Sequence, residues 1–187
     1  MLGRSLLSLL AVAAVVVQSS AAAVFGGIYM ISWEGKFFLT AYGKSIGSLA
    51  VLQYLGEAPP GYQEWEVKEN FDTDTVEIRN VGTGLYLSPS NPEAPNHREL
   101  VVQSNEPFVW RRLPGETGST YFLQDSTSSF VISQSRLQIF PTRLDLQEFV
   151  PTKKEQQFTF GPVNSIDRET RTHRTCGPWR MSRESFQ

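Results

Sequence analysis

The chain has 187 residues, 40% hydrophobic and 12% aromatic, with 17 basic side chains against 19 acidic ones. This near-balance, with no basic stripe interleaved with aromatics, argues against a nucleic-acid or anionic-membrane partner. A single cysteine, Cys176, excludes an internal disulfide, so the domain must be held by its own apolar core.

Residues 1–23 read as a cleaved secretory signal. Arg4 supplies the positive start, Leu6 to Val17 is apolar but for Ser8, and Ala21-Ala22-Ala23 is a small-residue cleavage site. The apolar run is shorter than the roughly 20 residues a spanning helix needs, and no later segment is apolar enough to cross a bilayer. A secreted product with no membrane contact after cleavage is therefore expected. Cleavage leaves 164 residues, with 16 basic against 19 acidic, a length suited to one domain over 24–163. No Asn-x-Ser/Thr site occurs, so N-glycosylation is not expected.

Short apolar runs separated by Gly, Pro, Asn, Asp and Ser predict an all-β domain. In chain order the predicted strands are Ile28–Trp33, Phe37–Thr40, Leu49–Gln53 and Trp65–Glu69. Next come Thr75–Arg79, Leu85–Ser88, Leu100–Gln103 and Val109–Leu113, and finally Thr120–Gln124, Phe130–Ser133, Leu137–Phe140 and Gln157–Phe160. Glu34-Gly35, Gly82-Thr83-Gly84 and Ser126-Thr127-Ser128 stand at equivalent hairpin turns. The longer connections are Ala41–Ser48, Gly56–Gln63, Pro89–Arg98 and Thr142–Glu155. No helix longer than a turn is predicted. The segment 164–187 is Arg-rich, poor in apolar residues and outside the repeat register, so a disordered tail is expected there.

The strands repeat. Lys36-Phe37-Phe38-Leu39-Thr40, Gly84-Leu85-Tyr86-Leu87-Ser88 and Ser129-Phe130-Val131-Ile132-Ser133 align without gaps, and Trp65, Trp110 and Phe158 recur at separations of 45 and 48 residues. A unit of this size cannot bury its apolar face alone, so the three copies must share one core. Twelve short strands in three pseudo-equivalent four-stranded repeats describe a β-trefoil. Trp65, Trp110 and Phe158, and likewise Phe37, Leu85 and Phe130, are expected in the core. Trp33, Tyr42, Tyr54 and Tyr62 break the threefold pattern and are better candidates for an asymmetric surface.

Material for catalysis is poor. The two histidines are His97, in a polar loop, and His173, in the tail, and neither has a second His or Cys at metal-ligand spacing. Asp72, Asp74 and Glu77 read as a solvated acidic turn rather than a hydrolytic carboxylate pair. No enzyme activity, metal or other cofactor is expected.

The segments Gly27-Ile28-Tyr29-Met30-Ile31, Gln63-Glu64-Trp65-Glu66-Val67-Lys68-Glu69 and Phe158-Thr159-Phe160 resemble strand signatures of the fungal β-trefoil serine protease inhibitors, the cospin-like family, over Gly27 to Val163. The same shapes occur in the mycocypin cysteine protease inhibitors and in ricin-type lectins. The resemblance implies a monomeric, reversible inhibitor of trypsin-like serine proteases, acting through the loop between the second and third strands. Here the protease-binding loop is Tyr42, Gly43, Lys44, Ser45 and Ile46, with Lys44 offered to an acidic S1 pocket as the central anchor. Ser45 would follow it, Gly43 and Gly47 would allow close backbone approach, and Tyr42 would pack at the rim.

Two alternatives stand beside this one. Gln63-Glu64-Trp65 matches the Gln-x-Trp of ricin-type lectins, whose resemblance implies a sugar held by an Asp soon after the second strand. This chain has Thr40-Ala41, Ser88-Pro89 and Ser133-Gln134 at those places, so a sugar site would have to arise elsewhere, for instance around Tyr54 and Trp33. A mycocypin-like cysteine protease inhibitor would use other loops, with Gly82-Thr83-Gly84 a possible wedge.

Overall fold

The structure, a computed structural model, describes residues 26–137 and 139–163. The expected signal segment, His173, Cys176 and the expected tail lie outside the described residues.

Twelve strands follow in chain order: β1 Gly27–Trp33, β2 Phe37–Ala41, β3 Ala50–Tyr54, β4 Trp65–Asn70, β5 Thr75–Asn80, β6 Tyr86–Pro89, β7 Val101–Ser104, β8 Val109–Pro114, β9 Thr120–Asp125, β10 Phe130–Gln134, β11 Thr142–Glu148 and β12 Phe158–Pro162. Among the described residues the one helical element is a 3-10 turn, Lys154–Gln156. Six strands close into a ring: β1 pairs β4, β4 pairs β5, β5 pairs β8, β8 pairs β9, β9 pairs β12 and β12 returns to β1. Closure leaves the ring no unpaired edge. The hairpins β2–β3, β6–β7 and β10–β11 cap one end. They join one another through β11 with β3 and through the single bridges Leu49 to Val102 and Leu100 to Asp145. The protein is a β-trefoil.

Alternation puts one side of each strand into a shared core. Leu39, Leu87 and Ile132 are buried at equivalent places in the cap hairpins, as are Ile31, Ile78 and Leu123 in the ring. Trp65 and Trp110 are fully buried, and their indole N–H groups donate to the carbonyls of Leu39 (2.8 Å) and Leu87 (3.0 Å). Each indole thus ties the fourth strand of its repeat to the second. Phe158 fills the third place with a ring alone. Phe37, Leu85 and Phe130, expected in the core, are half-buried instead, because they lie at the open ends of the hairpins, two residues short of the central layer.

Gln63 works as a clamp. Its side chain donates to Thr40 Oγ1 and the Tyr54 carbonyl and accepts from Gly56 N–H. Gln156 repeats the device, accepting from Val150 N–H and donating to the Glu148 carbonyl. In the second repeat the place belongs to Phe108, which packs edge-on against Trp110 at 4.8 Å. The first hairpin turns through Glu34 (φ 52°) and Gly35 (φ 66°), two left-handed residues in succession, as the twist of a two-residue hairpin requires.

One strand differs from expectation. The eleventh is Thr142–Glu148, and the run expected as a strand, Leu137–Phe140, belongs to the connection after β10. Leu137, Ile139 and Phe140 are exposed there, and the Phe140–Pro141 bond is cis. Proline brings no N–H to a ladder. Five pairs with β10 are made by the following segment, whose Leu144 and Leu146 alternate into the core. The alternation was disguised by Asp145 and Gln147, which are themselves buried and joined by a 2.7 Å hydrogen bond.

A second irregularity lies in the ring. Two residues beyond Trp65, Trp110 and Phe158 stand Val67, Arg112 and Phe160, so the place filled twice by apolar side chains holds a guanidinium once. Arg112 Nη2 lies 2.5 Å from Glu69 Oε1 and 3.8 Å from Asp74 Oδ1, and its guanidinium lies 4.9 Å from the Tyr121 ring. Burial first, and the Glu69 carboxylate second, raise the pKa of the neighbouring Tyr29 hydroxyl above its ordinary value.

Candidate functional site

The loop between β2 and β3 is exposed from Lys44 to Gly47 and is braced from the second repeat. Gly47 N–H donates to the Gln103 carbonyl and Gln103 N–H to the Ser48 carbonyl, both at 2.8 Å, while Gln103 Nε2 donates to the Gly43 carbonyl at 3.1 Å. Gln103 is fully buried, and its Oε1 accepts from Thr83 Oγ1 at 2.7 Å. Gly43 is fixed by geometry: φ is 127°, and a Cβ there would meet Ser48 Oγ at 2.7 Å. Tyr42, Ser45 and Ile46 are exposed beside Lys44, whose ammonium lies 6.0 Å from the Tyr62 ring.

Of the aromatics that break the threefold pattern, Tyr42 is exposed beside Lys44, and the other three divide into two sets. Tyr62 is buried in the core, contrary to expectation, because its chain segment passes beneath Gly82 and its carbonyl is held by Ala41 N–H and Asn80 Nδ2. Trp33 and Tyr54 belong to a continuous row of rings. Trp33 stands opposite Phe37 across β1–β2, and Phe37 opposite Tyr54 across β2–β3. Ring centroids are 5.7 Å apart from Trp33 to Phe37, 4.8 Å from Phe37 to Tyr54 and 5.8 Å from Tyr54 to Phe140. Tyr54 is 49% exposed and Phe140 58%. Tilted ring pairs packed in succession stiffen a surface of which part stays open to solvent.

Three contacts fix the row. Gln63 holds the Tyr54 carbonyl, Trp33 Nε1 donates to the Lys154 carbonyl at 3.0 Å, and Thr142, two residues after Phe140, pairs with Leu52 of β3. The first and third repeats meet here. Between Ile139 and Thr142, on either side of Phe140 in the chain, and Lys153 and Glu155 opens a cleft of about 360 Å³ whose polar wall is Gln134, Arg136, Thr142, Lys153 and Glu155. Its apolar side is Leu137 and Ile139. Sequence reasoning placed Trp33 and Tyr54 on a surface but assigned Phe37 to the core and Phe140 to a strand. The missed signal was the proline after Phe140, which argues against a ladder position.

Where a ricin-type Asp would stand, Ala41 and Pro89 are buried, and Gln134 is half-buried and lines the same cleft as Arg136. Thr40, Ser88 and Ser133 are buried, and Thr40 Oγ1 is already occupied by Gln63. His97 lies exposed with its ring 6.3 Å from Phe130. Among the described residues no three His, Cys, Asp or Glu side chains are grouped to hold a metal ion.

No family model matches the chain, and no curated protein matches it by sequence. Solved structures do match in shape. The designed threefold-symmetric protein ThreeFoil superposes with a TM-score of 0.64 at 13% identity, covering 73% of this chain and 99% of its own. The Rhizoctonia solani agglutinin gives 0.64 at 15% identity, covering 74% and 96%. The Macrolepiota procera ricin B-like lectin, solved in complex with lactose, gives 0.60 at 17% identity, covering 74% and 97%. These likenesses establish a β-trefoil fold.

Proposed function

We propose that this protein is a carbohydrate-binding β-trefoil, a secreted lectin-like module that works without a catalytic step or cofactor. The observation that carries this reading is the half-exposed row of Trp33, Phe37, Tyr54 and Phe140 together with a polar-walled cleft. A pyranose offers an apolar C–H face that stacks on an aromatic ring and hydroxyls that need fixed polar partners, and this surface has both. The lectins among its structural neighbours support the reading. So does the burial of Thr40, Ser88 and Ser133, which leaves the aromatic row and its cleft as the surface suited to a sugar. The test is a glycan array followed by calorimetry on wild type, Tyr54→Ala and Phe140→Ala. Each variant is expected to weaken binding at least tenfold while changing stability by no more than about 0.5 kcal/mol, since both rings are largely exposed. An array with no bound glycan, or variants that bind like wild type, would sink the reading.

A second reading is supported by one specific observation, the bracing of the Lys44 loop by buried Gln103. A loop ordered before binding loses less entropy when a protease closes on it, and Lys44 is then a trypsin-type anchor. Under this reading trypsin is inhibited stoichiometrically by wild type and not by Lys44→Ala. Gln103→Ala, assayed well below its melting temperature, inhibits at least tenfold more weakly. Full trypsin activity at equimolar wild type would remove this reading, and inhibition of papain instead would move the contact to other loops.

A further inference from the structure

We propose that the sugar held on the aromatic row carries a carboxylate, a uronic or sialic acid, and that Arg136 and Lys153 bind it. This inference rests on the carbohydrate reading above and specifies its ligand class. The cleft is lined by Arg136, Lys153 and Glu155, two cations against one anion, in a chain whose overall charge is negative. Among the described residues neither Arg136 nor Lys153 has a carboxylate within salt-bridge distance.

The two cations have complementary roles. Lys153 is positioned: its ammonium donates to Gln147 Oε1, and Gln147 is itself buried and held by Asp145. An ammonium has three N–H donors, so two are left for a ligand. Arg136 is exposed and brings the planar fork that matches a carboxylate with two parallel hydrogen bonds. Glu155 and Gln134 supply acceptors and donors for sugar hydroxyls, while Leu137 and Ile139 give the cleft an apolar side.

The cleft is tied to the row at two points. Phe140 belongs to the same connection as Arg136 and packs against Tyr54 with the rings tilted by 36°. Trp33 holds the Lys154 carbonyl between Lys153 and Glu155. A terminal acidic sugar in the cleft therefore leaves the following residues of the glycan over Phe140 and Tyr54. The neutral part stacks, and the charged end selects.

The experiment measures binding of two matched pairs by calorimetry at low and moderate salt: sialyllactose against lactose, and trigalacturonate against its methyl ester. Acidic members are expected to bind roughly five- to twentyfold tighter than their neutral partners, with the gap narrowing as salt rises. Arg136→Gln is expected to abolish the preference by weakening the acidic members more than the neutral ones. Lys153→Gln reduces it in part. If one pair shows the preference and the other does not, that pair identifies the acid. Equal binding of acidic and neutral members overturns this inference alone. No binding to any of the four, with none on the array, overturns the carbohydrate reading and this inference with it.

Discussion

Alanine at Trp65 is expected to destabilise the domain by about 3–5 kcal/mol, a large part of the 5–15 kcal/mol that holds a typical domain together. The indole is fully buried at the junction of ring and cap, and it ties β4 to the Leu39 carbonyl. Truncation empties a core position and leaves that carbonyl unpaired. Phenylalanine separates the two effects. It keeps most of the ring and loses the hydrogen bond, so Trp65→Phe should cost about 1–3 kcal/mol, the penalty for a buried acceptor without its partner. Phe158 shows that the fold accepts a ring without an N–H at this place, so Trp65→Phe should still fold. Urea titrations followed by circular dichroism decide the matter. With a slope of about 2 kcal/mol/M, the alanine variant should unfold some 2 M earlier than wild type. A midpoint within about 0.3 M of wild type would contradict the role given to Trp65.

Loss of Arg112 is the second large effect. The Arg112 and Glu69 side chains are 10% and 6% exposed, and one Glu69 oxygen, Oε2, is buried with no hydrogen-bond partner among the described residues. Arg112→Ala removes the one ion-pair partner that Glu69 has among the described residues and strands its carboxylate inside the protein, at an expected cost of about 3–5 kcal/mol. Removing both charges should be far milder. Arg112→Met with Glu69→Leu follows the pattern of Val67 and Phe160, which fill the same layer without charge, and should fall within about 1 kcal/mol of wild type or exceed it. A double-mutant cycle by urea unfolding measures the coupling. Additive single and double variants would mean that the pair is not the reason for the cost.

How the sequence encoded these features differs from case to case. The recurrence of Trp65, Trp110 and Phe158 was visible because a strand's alternation is local and survives in each copy. Arg112 was visible too, once the repeats are laid over one another and its place is seen to be that of Val67 and Phe160. That it would be buried was not, since its partner Glu69 is 43 residues away. The Thr142–Glu148 strand was hidden by the opposite effect. Buried Asp145 and Gln147 gave it the look of a polar loop, while Leu-Gln-Ile-Phe before Pro141 had the composition of a strand but no ladder to join. The Lys44 loop was singled out by the family resemblance, but its brace comes from Gln103 in another repeat.

The sequence by itself determined that this is an all-β chain of three repeats sharing one core, because hydrophobic periodicity and turn residues act over four to six neighbours. It also marked Trp33 and Tyr54 as exceptions to the threefold pattern. Only the tertiary structure decided that these two continue through Phe37 to Phe140, that Tyr62 turns inward, and that Arg136 and Lys153 line one cleft. The physical reason is closure. The β12–β1 pairing and the bridges among the cap hairpins bring the third repeat against the first. Contacts between residues about a hundred positions apart depend on that closure and leave no periodic trace in either segment.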